Sequence, residues 1–219
     1  MPARVGNVPN ANHLHPAPGI DALAHTAVLA LGSNLGESET TLEQAAADLV
    51  HLSGGAVQLV GASGLYVTEP VGGPADQPDY INAVLEVRTS LDPYALLALC
   101  QQVEAHHHRV RLVRWGPRTL DIDVITYDDL VSDDPVLTLP HPRAHERAFV
   151  LVPWEQANPQ AVIPSRDAAT GEQTRHLVAD LARRVRAADE RAGVNAVRFM
   201  RDMNLPKNLF DSGAESEGV

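Results

Sequence analysis

Apolar positions change period several times along the chain. Thr26 to Leu31 is a nearly continuous apolar run and predicts a short strand. After the turn Gly32-Ser33-Asn34-Leu35-Gly36, residues Leu42, Ala45, Ala46, Leu49 and Leu52 recur at helical spacing, with Ser38 as the expected N-cap. Gly54-Gly55 ends that helix, and Ala56 to Thr68 reads as a long strand interrupted near Gly61 to Gly64. Tyr80 to Thr89 alternates, placing Ile81, Ala83, Leu85 and Val87 on one face and Tyr80, Asn82 and Val84 on the other. Asp92-Pro93 then opens a second helix in cap and first-turn positions, running to about His108 over a buried stripe of Leu96, Leu99, Cys100 and Val103. Gln101, Glu104 and His108 share another of its faces. Thr119 to Tyr127 is β-branched and alternating, which predicts a further strand, and Val136 to Leu139 predicts a short one. Arg147 and Phe149 fall on an expected short helical turn, and Leu177, Leu181 and Val185 mark a last amphipathic helix over Gln173 to Ala188.

Between these elements lie stretches of another character. Residues 1–25 are rich in Pro, Asn, His and Ala without periodicity and read as a disordered extension, so His13, His15 and His25 read as parts of a polar tail. Glu69 to Pro78 is a Pro/Gly loop too elaborate for a hairpin, of the kind that serves as a functional lid. Beyond about Asn204 the chain turns polar and small, so 191–219 reads as a largely flexible extension of a domain over 26–190. No internal repeat is visible.

Composition narrows the function classes. At 219 residues with 44% hydrophobic content the chain can bury one substantial core. Its formal charge of −11 argues against a nucleic-acid partner, whose phosphates would need basic surface, so an anionic substrate must be drawn in locally. A single cysteine, Cys100, excludes an internal disulfide and suits a reducing cytoplasm. No apolar run reaches membrane-spanning length.

The densest chemistry lies in Arg114-Trp115-Gly116-Pro117-Arg118-Thr119-Leu120-Asp121-Ile122-Asp123. On a strand Asp121 and Asp123 share a face, roughly 6 to 7 Å apart at the backbone, close enough to converge on one or two cations, while Leu120, Ile122 and Val124 face a core. Arg109, Arg111, Arg114 and Arg118 stand immediately upstream. By itself Asp-x-Asp reads more readily as the solvated face of an amphipathic strand balanced by arginines. The alternative is metal-assisted chemistry on a phosphate. His141, held between Pro140 and Pro142, is a rigidly placed imidazole in a loop. His106-His107-His108 reads as a solvated helix end, because consecutive helical residues diverge by about 100°. The Gly32 to Gly36 turn lacks the Gly-Lys-Ser/Thr ending of a phosphate-binding loop and reads as structural.

Five stretches together resemble one family, the 6-hydroxymethyl-7,8-dihydropterin pyrophosphokinases of folate biosynthesis. They are Leu31 to Gly36, Tyr66 to Gly72, Gln77 to Ala83, Arg109 to Asp123, and Pro140-His141 through Arg147-Ala148-Phe149-Val150-Leu151, in the family's order over about 26–164. The resemblance implies an α+β fold of ferredoxin-like βαββαβ type, with helices packed on the sheet and long active-site loops. The predicted order of strand, helix, two strands, helix, strand fits it. It further implies transfer of pyrophosphate from ATP to the pterin hydroxymethyl group, with AMP as the other product, by a cytoplasmic monomer without nucleic-acid or membrane partners. Two Mg²⁺ ions would be held by Asp121 and Asp123. Arg109, Arg118, His141 and Arg147 would grip the triphosphate, with Gln101 and Glu104 near the nucleotide. Arg111 and Trp115 would belong to a mobile lid, Arg109, Arg111 and Arg118 acting with the aspartates in catalysis. Tyr80 and Phe149 would sandwich the pterin, with Asn82 and the backbone at Thr68 and Val71 reading its edge. Two other readings compete: a kinase transferring only the γ-phosphate, and a non-catalytic ferredoxin-like nucleotide-binding module.

Overall fold

Strands as continuously apolar as Thr26 to Leu31 and Asn82 to Leu85 need cover on both faces of their sheet. The computed structural model, which describes residues 23–70, 77–108, 118–167, 169–192 and 197–210, has that arrangement. β1 (His25–Ser33) is followed by α1 (Ser38–Leu52), β2 (Val57–Ala62), β3 (Leu65–Thr68), β4 (Tyr80–Thr89), α2 (Pro93–His106) and β5 (Asp121–Tyr127). The strand order β3-β4-β1-β5, antiparallel at each contact, is the ferredoxin-like βαββαβ sheet, β2 and β3 forming one interrupted strand along β4. The interruption falls at Ser63-Gly64, where the Val84 N–H donates to Ser63 Oγ (2.9 Å). β6 (Ser132–Asp133) and β7 (Thr138–Leu139) form a small hairpin, and β8 (Val162–Arg166) pairs with β9 (Gln173–Leu177).

Alternation sorts each central strand between two cores. Ala27, Leu29 and Leu31 of β1, Ala83, Leu85 and Val87 of β4, and Ile122 and Val124 of β5 meet Leu42, Ala45, Ala46 and Leu49 of α1 and Leu96, Leu99, Cys100 and Val103 of α2. Val28, Val84 and Ile125 on the opposite face meet α3 (Ala148–Ala157) and α4 (Val178–Ala192). α3 is apolar nearly all round and accordingly buried, with Pro153 inside it. At the start of α2, Asp92 accepts from the Tyr94 and Ala95 N–H groups (both 2.9 Å) and Pro93 takes the first helical position.

Five expectations need correction. Ser38 is the first residue of α1 rather than its cap; the cap position is Glu37, without a side-chain bond, and Ser38 Oγ instead accepts from Ser33 Oγ–H (2.9 Å). The last helix starts at Val178, because Gln173–Leu177 pairs with β8 as a strand. The turn at Arg147 opens the ten-residue α3. The C-terminal segment is not frayed over 197–210: β10 (Arg198–Arg201) pairs with β3, and Leu209 is buried in the α1/α2 core. Nor is His25 part of a tail, since it opens β1 and its Nδ1 lies 2.7 Å from Asp128 Oδ2. No described helix is long and apolar enough to cross a membrane.

Candidate active site

The sheet register sets side chains in rows on the α3/α4 face. One row reads Tyr66, Asn82, Gly32, Asp121, and beside it stand the Thr68–Tyr80 pair and, two residues along β1 and β5, Ala30 and Asp123. α3 covers this face only in part. Where it starts, Arg147 and Phe149 overhang the open end, and the residues of both rows other than Tyr66, with Arg118, enclose a cavity of about 150 Å³. Gly32 carries no side chain and so leaves room at its floor; a Cβ there would lie 3.4 Å from Asn82 Oδ1.

One end of the cavity is apolar with a polar edge. Tyr80 and Phe149 supply rings, and Asn82, 6% exposed, donates through Nδ2 to Thr68 Oγ1 (2.8 Å), which leaves its amide oxygen beside Gly32. Burial holds the Tyr80 phenol above its ordinary pKa, against the opposing pull of Arg118.

The other end is charged. Asp121 and Asp123 do share a face of β5, as the alternation predicts. Arg118 forms an ion pair with Asp121, while Arg147 Nη1 and His141 Nε2 stand 3.7 and 3.8 Å from Asp123 Oδ2. Burial, and then the charge of Asp121, push the Asp123 carboxyl above the usual range in spite of these cations. Burial likewise lowers the pKa of His141 and of Arg147. The guanidinium of Arg147 lies 5.4 Å from the Phe149 ring centroid, so one cation joins the two ends of the site.

His141 is fixed from several sides. Its N–H donates to Ile125 O (2.8 Å), its carbonyl accepts from Ala144 N–H (2.9 Å), and the preceding Leu139-Pro140 bond is cis. The Arg143 N–H donates to Nδ1 (3.3 Å), so the neutral imidazole carries its proton on Nε2, toward Asp123.

The pair of carboxylates fits a divalent cation. Asp123 is half-buried with its carboxyl pushed above the usual range, and among the described residues no set of three carboxylates, histidines or thiols is gathered to hold an ion, so the remaining ligands of an oxygen-seeking ion would come from substrate and water.

Several expected site residues stand elsewhere. Gln101 is exposed on α2, and Glu104, though one turn further on, is 4% exposed; neither lines the cavity. Glu104 Oε1 accepts from the Ile122 N–H (2.8 Å), between the two aspartates. Val71, Arg109, Arg111, Arg114 and Trp115 lie outside the described residues. His106 and His107 are more than a solvated end, for their Nδ1 and Nε2 atoms lie 3.3 and 2.9 Å from Asp48 Oδ2 on α1. Sequence reasoning kept Gly32 to Asn34 as a structural turn but gave no role of its own to Asn34, which is 3% exposed and joins both ends of the site. It accepts from the Arg118 N–H (2.8 Å), donates from its own N–H to Arg118 O (3.0 Å), and donates from Nδ2 to Pro78 O (3.2 Å), two residues before Tyr80. An asparagine in a glycine-flanked turn was the available signal.

The 7,8-dihydro-6-hydroxymethylpterin-pyrophosphokinase family model matches residues 28–159. The chain is 42% identical over 147 residues to the 2-amino-4-hydroxy-6-hydroxymethyldihydropteridine pyrophosphokinase of Bacillus subtilis, covering 67% of this chain and 86% of that one. It is 41% identical over 145 residues to the Haemophilus influenzae protein of the same name, covering 66% and 89%. Wild-type Plasmodium falciparum HPPK-DHPS, crystallised with pterin and p-hydroxybenzoate, superimposes with a TM-score of 0.56 at 14% identity over 80% of this chain and 48% of its own, a likeness of fold. With the family model spanning β1 to α3 and so every described wall of the cavity, the chain belongs to the 7,8-dihydro-6-hydroxymethylpterin-pyrophosphokinase family.

Proposed function

We propose that the chain transfers pyrophosphate from ATP to 6-hydroxymethyl-7,8-dihydropterin, giving AMP and the pterin diphosphate, a step of folate biosynthesis. The observation that carries this reading is the two-ended cavity, with Tyr80, Phe149 and Asn82 at one end and Asp121, Asp123, Arg147 and Arg118 at the other. A flat bicyclic pterin has two apolar faces and a hydrogen-bonding edge. Tyr80 and Phe149 would hold the faces and Asn82 the edge, with the backbone at Thr68 and Val71. Its hydroxymethyl group then points toward the charged end. There a new bond joins that oxygen to the β-phosphorus as the bond from the β-phosphorus to the oxygen bridging the α-phosphorus breaks; the hydroxyl proton is released to solvent, and AMP leaves.

Such a displacement needs positioning and neutralisation of charge more than covalent help from the protein. Arg147 and His141 stand beyond close hydrogen-bond range of Asp123, which leaves both available to phosphate oxygens. His141 would donate from Nε2, while Arg118, held by Asp121, would exchange that partner for phosphate as ATP enters. Asp121 and Asp123 would hold magnesium, two ions in all, which on binding neutralises the triphosphate and acidifies the attacking hydroxyl. Gln101, exposed on α2, would lie near the nucleotide, and Glu104 would act by fixing the strand between the aspartates. Arg109 would supplement the grip on the triphosphate, and Arg111 and Trp115 would belong to a lid over the substrates. The small-molecule scale of the cavity suits such substrates, and the chain would act on them in the cytoplasm as a monomer without nucleic-acid or membrane partners. Chromatography of the nucleotides after incubation with ATP, Mg²⁺ and the hydroxymethyl-dihydropterin tests the reading. AMP formed in step with pterin consumption is expected, and ADP as the nucleotide product would overturn it.

A further inference from the structure

Residues 197–210 lie beyond the stretch 28–159 that the family model matches, yet they are built into the fold on the pterin side of the cavity. Without them β3 would be a four-residue edge strand, paired only with β4, and it carries Thr68, the partner of Asn82. Short edge strands fray readily. β10 pairs along the free side of β3, with Arg198 opposite Val67, Phe199 opposite Tyr66 and Arg201 opposite Leu65.

The contact is close. The Phe199 ring meets Tyr66 edge-on, with centroids 5.6 Å apart at 76°. A Cβ on Gly64 would come within 2.6 Å of that ring and 2.7 Å of Arg201 O, so the absence of a side chain at Gly64 lets the segment lie flush. Tyr66 in turn donates its hydroxyl to Gln156 Oε1 (3.1 Å), which also accepts the Gly64 N–H (2.7 Å), on the same α3 that bears Phe149. Arg198 Nη2 lies 3.5 Å from Asp79 Oδ2, immediately before Tyr80.

The far end of the segment is anchored. Arg201 pairs with Glu39 (2.8 Å) and Glu43 (2.7 Å) of α1, and Glu43 Oε1 accepts the Asn204 N–H (2.6 Å). Leu209 is 1% exposed, and Phe210 O accepts from Gln58 Nε2 (2.8 Å). Phe199 by contrast is 53% exposed.

We propose that this C-terminal strap is a positioning element for the pterin half of the site: Phe199 on Tyr66, and Arg198 on Asp79, hold the β3 and β4 wall that presents Thr68, Asn82 and Tyr80. The inference rests on the proposed function. The strap acts on the pterin and not on ATP, because the segments it touches carry none of the charged residues at the triphosphate end.

Steady-state kinetics with each substrate varied in turn tests this in the full chain. Phe199→Ala removes the ring contact from an exposed position, and Gly64→Ala wedges the segment away. Each is expected to raise the pterin KM about fivefold while kcat and the ATP KM stay within about twofold. Phe199→Tyr, which keeps the ring, restores the wild-type pterin KM. Unchanged pterin KM in both alanine variants overturns the inference, as does a parallel loss in kcat and both KM values that Phe199→Tyr fails to rescue. A wild type that releases AMP beside such variants leaves the functional reading standing and removes this inference alone; a wild type that releases none removes both.

Discussion

The surroundings of Asp123 disfavour its charged form. Burial raises its pKa first and Asp121 raises it further, with His141, Arg147 and Arg118 pulling the other way. A carboxylate whose folded pKa is raised weakens the fold above that pKa, and the penalty fades as pH falls through it. Asp123→Asn is therefore expected to keep or slightly raise the melting temperature at neutral pH without substrates, while turnover falls by about three orders of magnitude, since a carboxylate proposed to hold a cation is lost. Paired thermal melts and turnover assays check it, and wild-type turnover would refute the role. Glu104 shows what alternation does not convey. Its place on a helix turned toward β5 became visible only once α2 packed against that strand, bringing Oε1 to the Ile122 N–H. Glu104→Ala leaves that buried donor without this acceptor and is expected to cost about 2 kcal/mol in urea unfolding and to lower kcat through the flanking aspartates. Glu104→Gln retains an oxygen and recovers most of both.

At the level of elements, β1, β4, α2 and β5 were legible because each is long, apolar and bounded by strong punctuation such as Asp92-Pro93. β9 and β10 were not. Every residue of β9 is exposed, so no buried face imposes a period, and β10 is four residues whose partner, β3, lies over 130 positions earlier. Tertiary pairing decided both. Asp128 illustrates the same kind of long link, tying the end of β5 to the start of β1. Burial pulls its pKa up, but the Thr26 N–H, His25 and the Thr26 hydroxyl outweigh that and hold it below the usual carboxylate range. A depressed carboxylate stabilises the fold above its unfolded pKa and loses that contribution as pH falls through the folded value. Asp128→Asn is expected to lower stability at pH 7 by about 1 kcal/mol, allowing for solvent screening of a partly exposed group. Denaturant unfolding from pH 7 down to about pH 3 should show the gap between wild type and variant closing once the carboxylate protonates near and below its ordinary pKa. A gap independent of pH would contradict the assignment.

For the molecule as a whole, the sheet separates two cores, and the cavity opens where α3 stops short of covering one face. Asp-x-Asp alone favoured a solvated strand over a cation site. The fold sets Asp121 in one row with Gly32, Asn82 and Tyr66 and places His141 and Arg147 around Asp123, an arrangement that supports the proposed site. With a net charge of −11, an anionic nucleotide must be received by this local group of cations against the global field. The central claim is that two phosphates move together from ATP to the pterin. The most direct measurement follows the label when ATP carries radioactive phosphorus at the β-position in one reaction and at the γ-position in another, each with Mg²⁺ and the hydroxymethyl-dihydropterin. Recovery of both labels in the pterin product, with unlabelled AMP, is the predicted result. Transfer of the γ-label alone, with the β-label left on ADP, would contradict it.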